Sequence, residues 1–239
     1  MTRGSLGAAL QAMAEEGGFS VPVRASTSLD HAVVDSALPH RGPLLISAWA
    51  SKRQFSIQGE GSIQYAPLIQ GDTDDLAQLA RAAQAWHDGA ALSDIRQAAP
   101  FVHLTGRFEV PDHDPVRLTE SEWQHLRTMA RAGKLPGYHA LVEAAYAEPA
   151  LRALYPFTSH WALRFSTTTG PFTSIVGPCL LADGIDRYTV STGFTGSGVL
   201  AEATTAQEAV AAAVRHLPSG LGPVTSGAFP AENRCEPGS

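Results

Sequence analysis

Four side chains carry the chemistry most worth following: His103, Arg107, His160 and Arg164. An imidazole exchanges a proton near neutral pH. A guanidinium grips a carboxylate or phosphate through two parallel hydrogen bonds. His103, Thr105, Arg107 and Glu109 alternate with Val102, Leu104, Phe108 and Val110. A strand over Val102–Val110 would therefore put the polar set on one face. His160, Arg164 and Ser166 alternate in the same way with Trp161, Leu163 and Phe165. On that strand His160 and Arg164 stand about 13 Å apart, and Trp161 points into the core. Should the two polar faces meet, the four residues line one basic groove able to hold an anionic small molecule or peptide. The competing reading is two solvent-facing strands. In it, Arg107 and Glu109 merely pair across to a neighbour, worth under about 1 kcal/mol.

Other constellations read more plainly. Asp112-His113-Asp114 offers metal-ligand atoms, but on a proline-flanked turn, and metal ligands must converge from rigid elements. No metal is assigned. In Trp86-His87-Asp88 the imidazole sits at a helix end, where a partial negative charge favours it, so a structural role is expected. Cys179, after Gly177-Pro178, reads as a small buried hydrophobe. Gly193-Phe194-Thr195-Gly196-Ser197-Gly198 lacks the Lys-Ser/Thr pair of a phosphate loop and has no helix directly after it, so a hairpin or surface loop is expected. The four tryptophans read as packing residues. No motif names a reaction or a cofactor.

The elements that must position these groups follow from periodicity. Three strands are expected at Leu44–Ala50, Phe55–Ile57 and Ile63–Ile69, preceded by a strand at Phe19–Val23 and a short helix near Leu29–Ala37. Asp72-Thr73-Asp74-Asp75 starts a helix bearing Leu76, Leu79, Ala83 and Trp86 on one face, ended by Gly89. A second helix spans Leu92–Ala98. Thr119-Glu120-Ser121-Glu122 reads as a capping box opening a helix with Trp123, Leu126 and Met129 inward. Helices at Pro136 and Pro149 follow. Strands are expected at Ile175–Ala182 and Arg187–Phe194, then a helix capped by Thr205-Ala206-Gln207-Glu208, then a closing strand at Pro223–Phe229.

This order predicts an α+β fold of two mixed or antiparallel sheet units, each reading βββαβ, as a weak internal repeat. The divisions expected are an N-terminal segment 1–43, a first unit 44–110, a helical connector 111–159, a second unit 160–230 and a flexible tail 231–239.

Composition limits the partners. With 17 Lys and Arg against 23 Asp and Glu, the formal charge is −6, and the basic residues are scattered. That argues against a nucleic-acid partner. Hydrophobic residues make up 44% of the 239, enough for one large core or two small ones. No window of about 18 apolar residues occurs, so no membrane span is expected. The Leu6–Ala14 run is too short, and too soon followed by Glu15 and Glu16, for a signal peptide. Two cysteines, Cys179 and Cys235, make no disulfide framework, and a reducing cytoplasm is the expected compartment.

Several stretches resemble a known family. They are Gly71-Asp72-Thr73-Asp74-Asp75-Leu76, Thr105-Gly106-Arg107-Phe108-Glu109-Val110, Glu122-Trp123-Gln124-His125-Leu126-Arg127 and Leu154-Tyr155-Pro156-Phe157-Thr158-Ser159-His160-Trp161. Over roughly residues 40 to 230 the chain resembles the actinobacterial domain-of-unknown-function family 6193, labelled natural product biosynthesis protein. The preference for Arg over Lys, fifteen to two, agrees with a GC-rich genome. The resemblance implies a role in secondary metabolism and supplies no reaction, cofactor or catalytic residue. Two functions follow as expectations. One is an accessory protein or enzyme binding a small molecule or modified peptide; the other is a non-enzymatic, immunity-like module binding another protein. A deep pocket with converging His and Arg at the joint of the two units would favour the first, a flat face with exposed Trp or Tyr the second.

Overall fold

Ser5 opens the first helix by accepting the Ala8 N–H at 3.2 Å, and α1 (Leu6–Glu16) follows with Leu6, Leu10 and Ala14 buried along one stripe. In this computed structural model, residues 4–61, 66–159, 161–193 and 198–227 are described. The chain divides into two units, Met1–Asp112 and His113–Ser239. The α+β class expected from the sequence is the class observed.

In the first unit, β1 (His31–Val34), β2 (Leu44–Ala48), β3 (Phe55–Glu60), β4 (Pro67–Thr73) and β5 (His103–Leu104) form one antiparallel sheet in that order. α2 (Leu76–His87) and α3 (Leu92–Ala98) separate β4 from β5. Asp75 caps α2, its carboxylate accepting from Ala77 N and Gln78 N; these bonds, led by the one from Gln78, hold its carboxyl below the usual range. Ala32, Val34, Ile46, Ile57 and Ile69 meet Leu10, Leu79, Ala83, Trp86 and Ile95 in the core. The alternate residues of the strands point away from that core, as a period of two requires.

Three expectations for this unit are corrected. The helix near Leu29–Ala37 is strand β1, because Ala32 and Val34 bury with a period of two and β-branched valines suit a pleated surface. The strand at Phe19–Val23 is reduced to a bridge between Val23 and Val34. The long strand Val102–Val110 stops at Leu104. Gly106 takes φ +92°, and Thr105 turns its N–H to Leu68 O (3.0 Å) and its hydroxyl to Pro67 O (2.7 Å), so the chain leaves the ladder.

The second unit begins with α4 (Pro115–Ala132), α5 (Pro136–Ala147) and α6 (Pro149–Arg152). The start of α4 lies four residues before the expected capping box. Asp114 Oδ1 accepts the Arg117 N–H at 2.8 Å, Pro115 fills the first turn, and Thr119 donates back to Pro115 O at 2.8 Å from inside the helix. Then come β6 (Tyr155–Ser159), β7 (Ala162–Ser166), β8 (Thr168–Pro171), β9 (Ile175–Ala182), β10 (Tyr188–Ser191) and β11 (Val199–Ala203), followed by α7 (Ala206–Arg215) and β12 (Thr225–Gly227). The sheet order is β11-β10-β9-β7-β6, antiparallel throughout, while β12 pairs parallel with β8 outside it. The Thr205–Glu208 capping box closes in both directions.

The stretch expected as a connector belongs to this unit. Trp123 and Leu126 of α4 and Leu141 and Val142 of α5 share one core with Leu163, Phe165, Leu180 and Val190 of the sheet and Val210 of α7. The N-terminal segment likewise belongs to the first unit through α1 and β1. The βββαβ repeat fails at its end. β5 joins the sheet beside β4, whereas β12 leaves its five-stranded sheet to pair with β8, and five strands rather than three run from β7 to α7.

Candidate functional site

The outward residues of the first sheet stand in two cross-strand rows. His31, Ser47, Ser56 and Asp72 are register partners across β1 to β4, and Val33, Leu45, Gln58, Gln70 and His103 across β1 to β5. Neighbours in a row are separated by about 4.8 Å. These side chains and the backbone between them line a cleft of about 540 Å³, within the range of small-molecule sites. His31, Gln58, Gln70, Asp72 and His103 are exposed. Among the described residues, the side chains of Ser47, Gln58, Gln70 and His103 make no hydrogen bond, so their donors and acceptors face outward unspent.

Both ends of the first row are oriented by neighbours. His31 Nδ1 lies 2.8 Å from Asp30 Oδ1, and Ser28 Oγ donates to the same carboxylate oxygen at 2.9 Å. These bonds, that to His31 foremost, hold the Asp30 carboxyl below its usual range. At the other end Trp49 Nε1 donates to Ser56 Oγ at 2.7 Å, and Ser56 Oγ donates to Asp72 Oδ1 at 2.5 Å. Among the described lining residues there is no Lys or Arg, and Asp72 is the one carboxylate.

The sequence-predicted residues are distributed as follows. His103 lines this cleft at its β5 edge. Arg107 does not share that face, a correction to the expected polar strand surface. It lies beyond the Gly106 turn, its Nη1 donating to Pro67 O at 3.2 Å. For Glu109 the sequence suggested pairing across to a neighbouring strand. Glu109 receives Arg41 through Nε–H···Oε1 (2.8 Å) and Nη2–H···Oε2 (3.0 Å). Arg164 lies on β7, its guanidinium 5.8 Å from the centroid of Phe157, its register partner on β6. His160 lies outside the described residues, as do 194–197 of the glycine-rich loop and Cys235. Trp161, expected in the core, is 51% exposed with φ +66°, its ring edge-on to Tyr138 at 5.6 Å. A left-handed backbone takes it out of the β7 alternation that the sequence suggested.

Cys179 is buried as expected, and burial pushes its thiol up, partly offset by the Arg164 charge. His87 Nδ1 meets Asp35 O at 2.8 Å, at the end of α2. Asp114 is spent as a helix cap and His113 takes φ +54°. Among the described residues no three His, Cys, Asp or Glu side chains converge as a metal ion would require. In the second unit, Arg127 (4.2 Å) and Arg152 (4.5 Å) lie over the ring of Tyr146, whose hydroxyl donates to Glu120 at 2.7 Å. Although burial opposes it, hydrogen bonds from Tyr146 and Gln124 leave the Glu120 carboxyl below its usual range. That network satisfies itself on the helix surface.

His31, Gln58, Gln70 and Asp72 were not legible as site residues. Asp72 reads in the sequence as part of a helix start, but it is the penultimate residue of β4, and Asp75 does the capping. The one signal was polar alternation: Ser47, Ser56, Gln58, Gln70 and Asp72 each fall on the off-beat of an apolar strand.

No curated protein and no solved structure matches the chain. The cleft lies outside the segment that matches a family model. Residues 117–228 match the model of DUF6193, a family of unknown function, a match running from the first turn of α4 to just past β12.

Proposed function

We propose that this chain is a protein of actinobacterial secondary metabolism that binds a small molecule or modified peptide on the open face of the first unit's sheet. The observation that carries this reading is the pair of cross-strand rows, with four side chains whose hydrogen-bonding groups have no partner among the described residues. A sheet face that served only as surface would be served equally well by charged residues; this one sets a single carboxylate among amides, hydroxyls and imidazoles around a cleft of ligand size. The metabolic context is supported by the family resemblance, and a cytoplasmic location by the paucity of cysteine. The first test is native mass spectrometry of the purified chain after exposure to metabolites of a producing strain. One retained mass is expected, lost in the double variant Gln58→Ala/Gln70→Ala at unchanged melting temperature. Retention of that mass by the variant would move the site elsewhere, and no retained mass would remove the reading.

A second reading, a non-enzymatic protein-binding module of the immunity type, draws on the exposed Trp161 in the second unit. It predicts a protein partner whose binding fails in Trp161→Ala and survives in the Gln58/Gln70 variant.

A further inference from the structure

We propose that the ligand of this cleft carries a protonated amine, received at the corner formed by Asp72, Ser56 and Trp49. The inference rests on the reading that the cleft binds a small molecule, and names its chemical class: an amine set among hydroxyls or amides.

Three observations converge on that corner. Ser56 accepts from the Trp49 indole and donates to Asp72 Oδ1, which fixes one carboxylate oxygen. Asp72 Oδ2 has no partner among the described residues. A carboxylate held by one oxygen and open at the other is a preorganised acceptor for an N⁺–H donor. Next, the described lining contains no Lys or Arg, and the ammonium of Lys52 lies outside it, over the Trp49 ring. An anionic ligand, expected from the sequence, would meet Asp72 with no opposing charge in the lining.

The third observation is that the Trp49 indole, which donates to Ser56, already holds an ammonium over its ring. Lys52 Nζ lies 4.6 Å from the centroid of the Trp49 ring, an indole that is itself 48% exposed. The face of an indole attracts cations through its quadrupole. Lys52 stands on the exposed turn between β2 and β3, so it reaches the ring as a tethered stand-in and competes with a ligand amine for the same face. Gln58, Gln70 and His103, in the neighbouring row, supply donors and acceptors for the rest of the molecule.

The experiment uses two sugars that differ at one nitrogen: glucosamine, whose amine is protonated in mildly acidic buffer, and N-acetylglucosamine, whose nitrogen is capped. Each is titrated into the full chain while the Trp49 indole and the Gln58 and Gln70 side-chain amides are followed by NMR. Glucosamine is expected to bind about tenfold more tightly, and added salt to weaken glucosamine alone. Asp72→Asn should erase the difference, and Lys52→Ala should tighten glucosamine several-fold. Asp72→Ser repeats the test if the amide spectrum of Asp72→Asn shows unfolding. Equal affinities with shifts at Gln58 and Gln70 would overturn the amine and leave the cleft as a binding site. No shift from either sugar, together with no metabolite retained in the mass-spectrometric test, would overturn both.

Discussion

Arg41 and Glu109 form a two-pronged ion pair 68 residues apart in sequence, with Arg41 only 5% exposed. The same guanidinium lies 4.8 Å from the Trp86 ring centroid and donates to Ala90 O at 3.0 Å. It thereby ties the segment after β5 to the end of α2. This explains why the segment holds its place after leaving the sheet: the backbone ladder ends at Leu104, and a side chain takes over. Arg41→Ala would leave Glu109 with the His40 imidazole (Nε2 3.4 Å from Oε1) in place of its two-pronged partner and would take the guanidinium donor from Ala90 O. Losing one partner of a mostly buried pair leaves the other's charge poorly compensated. A loss of about 3 kcal/mol in denaturant unfolding is expected, and Arg41→Lys, lacking the planar fork, should recover less than half of it. A change within about 0.5 kcal/mol would show that the pair is dispensable.

Gly59 sets how closely α2 approaches the sheet. A Cβ built there would lie 2.5 Å from Trp86 Cζ3 and 2.6 Å from Ile69 Cγ1. Its backbone needs no special φ, so the demand is for space alone. Trp86 is fully buried and its Nε1 donates to Gly42 O at 3.1 Å, which leaves the ring little room to shift. Gly59→Ala is expected to cost about 2–3 kcal/mol through overpacking, read as a lowered Tm. A Tm equal to that of the parent would mean that the ring can move aside.

Glu143 gives the second unit an acid-side weakness. Arg127 holds its carboxylate through Nε (3.0 Å to Oε1) and Nη2 (2.9 Å to Oε2). That hydrogen bonding, ahead of the opposing effect of burial, holds the Glu143 carboxyl below the usual glutamate range. A carboxyl lowered on folding stabilises fully above the unfolded value and loses that contribution as pH falls through the folded one. Glu143→Gln should therefore cost about 1 kcal/mol at neutral pH. The gap between variant and parent should close as the pH drops below the ordinary glutamate range. A gap that persists unchanged into acid would mean that the carboxylate charge contributes nothing.

What the sequence by itself determined was local. Helices α2, α3, α5, α6 and α7 and most strands follow from hydrophobic period and end signals that act within a few residues: Asp75 capping α2, Pro136 opening α5, and Thr205 with Glu208 closing a box. The misplacements fall where a distant partner outweighed a local preference. Val102–Val110 has the alternation of a strand, yet Thr105 bonds to Pro67 and Leu68, and Glu109 to Arg41, so pairing stops after two residues. Trp161 alternates with Leu163 and Phe165 on paper, but a left-handed backbone takes it out of step. His103 lines the cleft because β5 docks beside β4, a fact of sheet order that no spacing in the chain encodes. The cleft itself belongs to tertiary structure alone. His31, Ser56, Gln70 and Asp72 come from three strands, and register, fixed by which apolar residues had to meet the helices, decided which polar ones would stand side by side.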